Sequence, residues 1–495
     1  MKKKNLLFVS LISLVLFSCN QNKKSQEPAS SVIDSSNQFS SSDISSSQGD
    51  PNIVNIELFA LNDFHGNVKD STNGLGIGKT SSLLKSYPKN ANNALYVSQG
   101  DMWQGSAESN LTRGQLVTDW MNQLGFTSMT LGNHEFDWST SYVKDNSKLA
   151  NFPFLGINIF AHETNERVDY AKPSVVIEKN GAKIGIVGAI GDCYSSISAS
   201  QVKDIYFKVG DELTALVKEE AIRLKEVEKC DFVIYSLHDD DAFYNVELSN
   251  YVDLVLEGHT HQNYIRKDSK GIYHIQGAGY NKSFNYINLD INIAEDSFVI
   301  NQVKSIYTND FSNLVKEDQE ANSLFTKYAD MISRADDVIG YNSRYRDSTE
   351  LRQLIADLYL ENGLKKWGDT YDELFLAGGY ISCRTPYRLN KGEVKYADLY
   401  ALFPFDNDLV LCTTTGYYLD RQFVNTTNEN YFISYTSYGN TNKTSIDVNE
   451  TYYLITDTYS SDYAPNHLTV IDKFTDEGYY ARDMVAEYIK AGRMN

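Results

Sequence analysis

From residue 53 onward the chain alternates short apolar runs with amphipathic stretches. Residues 53–62 (IVNIELFALN) are apolar and β-prone, and they end at Asp63-Phe64-His65-Gly66. A helical stretch over about 78–86 leads to a second run, 94–98, which ends at Gln99-Gly100-Asp101. Residues 114–124 set Leu116, Trp120 and Leu124 four apart with Val117 and Met121 alongside, which makes one apolar helix face. Further apolar runs lie at 126–131, 152–160 and 183–189. Residues 210–229 open on Asp-Glu and fill with Leu, Val, Ile, Glu and Lys, the clearest helix in the chain. Residues 231–237 then end at His238, and 252–256 end at Gly258-His259-Thr260-His261. Strands alternating with helices predict an α/β fold whose sheets are covered on both faces. In such folds ligands bind beyond the carboxyl ends of the strands.

Those strand ends carry the chemistry. Asp63, Asp101, Asn133, His238 and His259 each fall at or just past one, so five separate stretches can converge on one cleft. The densest is 130–137, TLGNHEFD, where Gly132 breaks an apolar run and Asn133, His134 and Asp137 follow. Of the 8 histidines, His65, His134, His238, His259 and His261 share this setting, with His274 less clearly so. Packing alone does not repeatedly put histidines beside Asp and Gly after apolar runs. Asp63-x-His65 can turn a carboxylate and an imidazole to one ion, and Asp101 has two oxygens with which to bridge two. With Asn133, His238, His259 and His261 the donors number seven, too many for one tetrahedral ion and suited to two. Carboxylates mixed with imidazoles suit Zn, Mn, Fe or Co and do not choose among them.

Two further strands are expected over 271–279 and 283–293. Residues 313–335 read as a charged linker helix with Leu314, Leu324, Tyr328 and Ile332 on its apolar side. Beyond it histidines give way to His467 alone and tyrosines become dense, so a second domain is expected over 336–495. A net charge of −20 excludes a basic nucleic-acid-binding surface. An anionic small substrate then needs metals or arginines that invert the local field.

The N-terminus carries an address. Residues 1–5 hold three lysines, 6–17 are apolar but too few to span a bilayer, and Leu16-Phe17-Ser18-Cys19 follows. That ending resembles a bacterial lipobox, which implies cleavage before Cys19 and lipidation of its thiol. A signal over 1–19, a Ser-, Gln- and Asn-rich tether over 20–50 and an extracytoplasmic, membrane-anchored protein are expected. Cys193, Cys230, Cys383 and Cys412 are spaced as buried free thiols rather than a disulfide framework.

Taken together, Asp63-x-His65, Gly100-Asp101, Gly132-Asn133-His134-Glu135-Phe136-Asp137, His238 and Gly258-His259-Thr260-His261 resemble the calcineurin-like metallophosphoesterases. More narrowly they are similar to the secreted 5′-nucleotidases, a family that includes UDP-sugar hydrolases and cyclic-nucleotide phosphodiesterases. The resemblance implies a catalytic β-sandwich flanked by helices over 51–312, the linker helix over 313–335, and an α/β substrate-binding domain. It implies two divalent ions, one held by Asp63, His65, Asp101 and His261 and the other by Asp101, Asn133, His238 and His259. His134, oriented by Asp137, would stabilise phosphoryl charge or protonate the leaving oxygen. In the second domain Gly378-Gly379-Tyr380-Ile381-Ser382-Cys383-Arg384 and Phe403-Pro404-Phe405-Asp406-Asn407 resemble the family's nucleotide-binding segments. By that likeness Arg384 meets phosphate or ribose and Phe405 stacks on the base, with Arg346 and Arg352 as candidates for a second phosphate arginine. Ala377 stands where relatives carry Asn, and 456–463 lack the relatives' glycines; there Tyr459 would stack and Asp462 would accept from ribose.

Two ions about 3.5–4 Å apart clamp a phosphoryl group and lower the pKa of a bound water towards about 7. The expected reaction is hydrolysis of nucleoside 5′-monophosphates by the resulting hydroxide. Cyclic-nucleotide phosphodiester or nucleotide-sugar pyrophosphate hydrolysis is the alternative within the enzymes. A nucleoside- or metal-binding lipoprotein is the alternative from another class. The run Asp239-Asp240-Asp241, after His238, is expected to be a solvated loop.

Overall fold

The computed structural model describes residues 50–71, 74–240, 246–371, 376–380, 388–424, 431–435, 446–474 and 480–494. Cys19, Asp241, Cys383 and Arg384 lie outside the described residues.

The first domain is built on two six-stranded sheets. One runs Ser297–Tyr307, Ser283–Asn292, Ile53–Leu61, Ala94–Ser98, Phe126–Thr130, Phe154–Leu155, and the last four strands are mutually parallel. The other runs Tyr264–Lys267, Tyr273–Gln276, Leu254–Glu257, Phe232–His238, Ala182–Ile190, Ser174–Lys179, with its four central strands parallel. Alternate residues of a strand face opposite sides, and in Ile53–Leu61 both sides are apolar. Val54, Ile56, Leu58 and Ala60 meet Ile184, Ile186, Phe232, Ile234, Leu254 and Leu256 between the sheets. Phe59 and Leu61 pack outward into a cluster with Leu83, Leu84, Leu116 and Trp120 of the helices Ile77–Ser86 and Gln115–Leu124. On the other outer face Val187, Val233 and Tyr235 receive Leu213, Val217, Ala221 and Leu224 of helix Asp211–Glu226. The expected helix-flanked sandwich is therefore present, and the parallel strands of both sheets bring their carboxyl ends to one edge.

The expected linker helix over 313–335 is not continuous. Helices occupy Gln319–Lys327 and Ala329–Ile332, followed by a 3-10 turn, Ser333–Asp336. Asp318 fixes the start, because its side chain accepts from the Glu320 and Ala321 amides (2.9 and 3.2 Å). Leu314 consequently lies before the helix and is 74% exposed, whereas Leu324 and Tyr328 are buried.

The second domain has a five-stranded sheet in the order Tyr431–Tyr435, Leu376–Tyr380, Thr451–Asp457, Leu409–Thr415, Thr469–Lys473. Helix Ser348–Trp367 covers one face through Ile355 and Tyr359, and helix Ala481–Lys490 packs against that helix through Met484, Val485 and Ile489. One fastening of this domain to the first is the loop around Pro404 and Asp406. The Pro404 carbonyl accepts from Gln104 Nε2 and Asn110 Nδ2, both at 3.0 Å. The adjacent Asp406 carboxylate sits between Arg113 of the first domain and Arg482 of the second, whose Nη2 lies at 2.6 Å. Arg482 is buried, donates also to the Phe403 carbonyl (2.9 Å) and stacks on Tyr400. Burial of a guanidinium is tolerated only when its charge and donors are met in this way.

Candidate functional site

All seven expected donors gather at the common strand edge, displayed at strand ends and on the loops that follow rather than within strand interiors. Five of them have left-handed backbone: Asp63 (φ 50°), His65 (49°), Asp101 (54°), His259 (74°) and His261 (58°). Such conformations cost non-glycine residues about 1–3 kcal/mol each and persist where surrounding bonds hold them. Here neighbouring loops bond to one another: Asp63 N to Gly100 O (3.0 Å) and His65 N to Asp101 O (2.9 Å).

Glu135, without a role in the sequence pattern, holds the next pair of loops. Its buried carboxylate accepts from the amides of Asp101, Met102 and Gly132, each at 2.8 Å. Burial and the charge of Asp101 push Glu135 up to about 7, against the opposing pull of His238 and those amides. The signal for it was an acidic residue three positions after Gly132, a spacing that returns a side chain to a turn's first amide.

One group comprises Asp63, His65 and His261, and a second Asp63, Asp101 and His238, each with ligand atoms mutually within 4.8 Å. His261 Nε2 lies 2.9 Å from His65 Nε2 and 3.3 Å from Asp63 Oδ1. Asn133 Oδ1 lies 3.1 Å from both His238 Nε2 and His259 Nδ1. His65 Nδ1 is fixed by the Gln104 carbonyl (2.9 Å) and His238 Nδ1 by the Gln99 carbonyl (2.6 Å). Both rings therefore present Nε2 inward, the outer-sphere arrangement that orients imidazole ligands. Asp101 Oδ2 is buried 3.2 Å from His238 Nε2, yet no hydrogen-bond donor among the described residues is aligned with it.

The electrostatics describe a pocket that demands positive charge. Burial alone would raise the Asp101 carboxyl, but His238, His134 and His65 hold it well below the usual range. Burial alone would lower His238, and Asp101 with Asp63 instead raises it to about 10. Burial and the nearby His238 push His259 down to about 4. The residues fit divalent metal: paired imidazole nitrogens, an unaligned buried carboxylate oxygen, and glycines that leave no spare room. A Cβ on Gly132 would stand 2.4 Å from Asp101 Oδ1, and one on Gly258 2.9 Å from His238 Nδ1.

His134 is not among the grouped donors. Its Nδ1 lies 2.8 Å from Asp137 Oδ2, and both residues line a cavity of about 200 Å³ between the domains. Asp137 does not cap the following helix, which starts at Thr140. Asn133, His259, Phe405, Asp406, Asn407, Thr458 and Tyr459 also line the cavity, joined by Ser196, Ser198 and Gln201 of the first domain. Phe405 and Tyr459 stand parallel, their rings 6.1 Å apart and inclined by 9°, and Phe405 also faces His134 at 5.8 Å.

Several expected residues lie elsewhere. Neither Arg346 nor Arg352 lines the cavity. Arg346 donates to Asn342 Oδ1 (3.0 Å) and the Met494 carbonyl (3.3 Å), tying the C-terminal segment down. Asp462 does not line it either, because its Oδ2 accepts from the Ser198 hydroxyl and the Ser200 amide (3.1 Å) across the domain boundary. Arg384 lies outside the described residues. His274 is buried against Glu257 (3.4 Å) and Asp268 (3.6 Å), away from the donors. Asp239 is not in a solvated loop: it is buried and accepts from the Cys193 amide at 2.8 Å. Burial, Asp239 and Asp101 push the Cys193 thiol well above its usual range, so it stays protonated and donates to the His238 carbonyl (2.9 Å). Cys193, Cys230 and Cys412 are free and buried, as expected.

Residues 57–263 match the calcineurin-like phosphoesterase family, and residues 331–444 match the 5′-nucleotidase C-terminal domain. The chain thus pairs a calcineurin-like phosphoesterase region with a 5′-nucleotidase C-terminal region. It is 30% identical over 221 residues to an apyrase of Tabanus yao, which is 42% of this chain and 39% of that one. It is 30% identical over 225 residues to Protein UshA of Yersinia enterocolitica, 41% of this chain and 40% of that protein. These matches thus span about two fifths of each relative's length. The fold of the 5′-nucleotidase precursor from Thermus thermophilus superimposes with a TM-score of 0.68 at 18% identity, covering 88% of this chain and 96% of that one. The calcineurin-like phosphoesterase family uses divalent metals, in keeping with the donor groups described.

Proposed function

We propose that this protein hydrolyses nucleoside 5′-monophosphates to nucleoside and phosphate. The observation that carries the reading is the interdomain cavity. Asn133, His134 and His259 bound it on the metal-ligand side, and the parallel rings of Phe405 and Tyr459 on the other. A phosphate at the donors and a base between the rings are then two ends of one ligand.

Two divalent ions held by Asp63, His65, Asp101, Asn133, His238, His259 and His261, with Asp101 shared, would activate water and offset phosphoryl charge. The chain's own groups supply the rest. His134 has Nδ1 committed to Asp137, so the ring is oriented with Nε2 left to meet the substrate. It serves the phosphoryl oxygens or gives its proton to the departing ribose oxygen. Glu135 and the interlocked loops keep the donors from relaxing their backbone. Residues 1–19 support an extracytoplasmic site of action, with lipidated Cys19 as the membrane anchor.

Phosphate release from AMP by the full chain, with and without chelator and alongside a metal assay, tests the reading. Chelator-sensitive release with close to two ions per chain is expected. A protein that binds nucleosides or metal but releases no phosphate would be a binding lipoprotein instead.

A further inference from the structure

One wall of the cavity has no part in the reaction just described. It is a first-domain strap containing two 3-10 turns, Asp192–Ser196 and Ala199–Gln201. The strap is tied at both ends. The Cys193 amide donates to Asp239 Oδ2 (2.8 Å), next to the end of the Phe232–His238 strand. At the far end the Ser198 hydroxyl and Ser200 amide donate to Asp462 of the second-domain helix Thr458–Tyr463. That same short helix carries Tyr459, so the strap and the aromatic clamp are held in one frame.

Three polar side chains of the strap line the cavity: Ser196, Ser198 and Gln201. Ser196 spends its hydroxyl proton on the Cys193 carbonyl (2.7 Å) and Ser198 on Asp462. The Gln201 side-chain amide meets no partner among the described residues. A planar ring lying between Phe405 and Tyr459 buries its faces against them and turns its edges to the walls. An amide beside such an edge offers one donor and one acceptor group in the ring's plane, the chemistry by which side chains discriminate bases.

We propose that Gln201 reads the edge of the base held between Phe405 and Tyr459, and that Asp462 is the positioning residue fixing the strap that carries it. This rests on the nucleoside-monophosphate reading. Asp462 would thus serve the substrate through Ser198 and Ser200 rather than by binding ribose.

The test is the ratio of kcat/KM for AMP to that for IMP. These two substrates share their phosphate and ribose, and they exchange donor for acceptor at one base edge. Gln201→Glu can only accept and Gln201→Lys can only donate there, so the two should move the ratio in opposite directions. About tenfold each way is expected, the size of one mispaired hydrogen bond. The added charge acts on both substrates alike and cancels in the ratio. Metal content and thermal melting report that each variant is folded. Opposed shifts of about threefold or more support the proposal, and their sign identifies the base atom faced. Smaller shifts, or shifts in one direction, overturn it. In an Asp462→Ala background both shifts should collapse towards unity. Shifts that persist at full size overturn the positioning role, because general weakening of the domain contact would slow both nucleotides without touching the ratio. Wild-type protein that cleaves phenyl phosphate but neither nucleotide overturns the functional reading and this inference together. Wild type active on both nucleotides, with flat ratios in the variants, overturns the inference alone.

Discussion

Phe405→Ala isolates the aromatic clamp from the metal chemistry. The two rings lie nearly parallel with their centroids 6.1 Å apart, so a base stacks on them by shifting them relative to one another. Each stacked face contributes about 1–3 kcal/mol, and the alanine variant loses the face that Phe405 supplies. A rise of about fivefold or more in KM for AMP is therefore expected. Phe405 also lies 5.8 Å from the His134 ring, so kcat should fall, but by less than KM rises. Steady-state kinetics on AMP and on phenyl phosphate separate the two effects, since the small ester has no purine to stack. An unchanged KM for AMP in folded, metal-loaded Phe405→Ala would refute the clamp and point to a ligand that does not stack there.

Three other outcomes follow from the geometry. Asp101→Asn should abolish turnover and reduce bound metal to one ion or none, because an amide cannot balance two dications; two tightly held ions with near-normal rates would remove the bridging assignment. His134→Ala should keep its metals and slow the chemical step by about 10²–10⁴. An ester with an excellent leaving group should lose less if His134 protonates the leaving oxygen, and equally if it stabilises phosphoryl charge. Arg482→Met should cost about 3 kcal/mol, the low end for breaking a buried ion pair, because Arg113 still meets Asp406. A calorimetric melting temperature lowered by roughly 6–12 °C would agree with that cost, whereas a drop of under about 2 °C would mean the triad holds the domains only weakly.

The metal centre was legible because its donors are local. Each sits within five residues of the end of an apolar run, so the chain order of runs and breaks was enough to gather Asp63, His65, Asp101, Asn133, His238, His259 and His261. A strand's period and its end are set by neighbours in sequence, as is the three-residue spacing that joins His134 to Asp137. Glu135 shares that local pattern, but its role was hidden because two of its partners, the Asp101 and Met102 amides, belong to another loop.

Everything that depends on the two domains meeting needed the tertiary structure. Arg346 and Asp462 are the right residue types for phosphate and ribose, yet packing spends the first on the C-terminal segment and the second on the strap. Arg482 is 76 residues from Asp406 and Arg113 is 293 from it, and no periodicity spans such separations. The same holds for Gln201, whose surroundings in sequence are a plain polar stretch. A side chain's type states which bonds it can make. Which of them it makes is decided by the groups that compaction brings within reach, and burial compels it to satisfy those first.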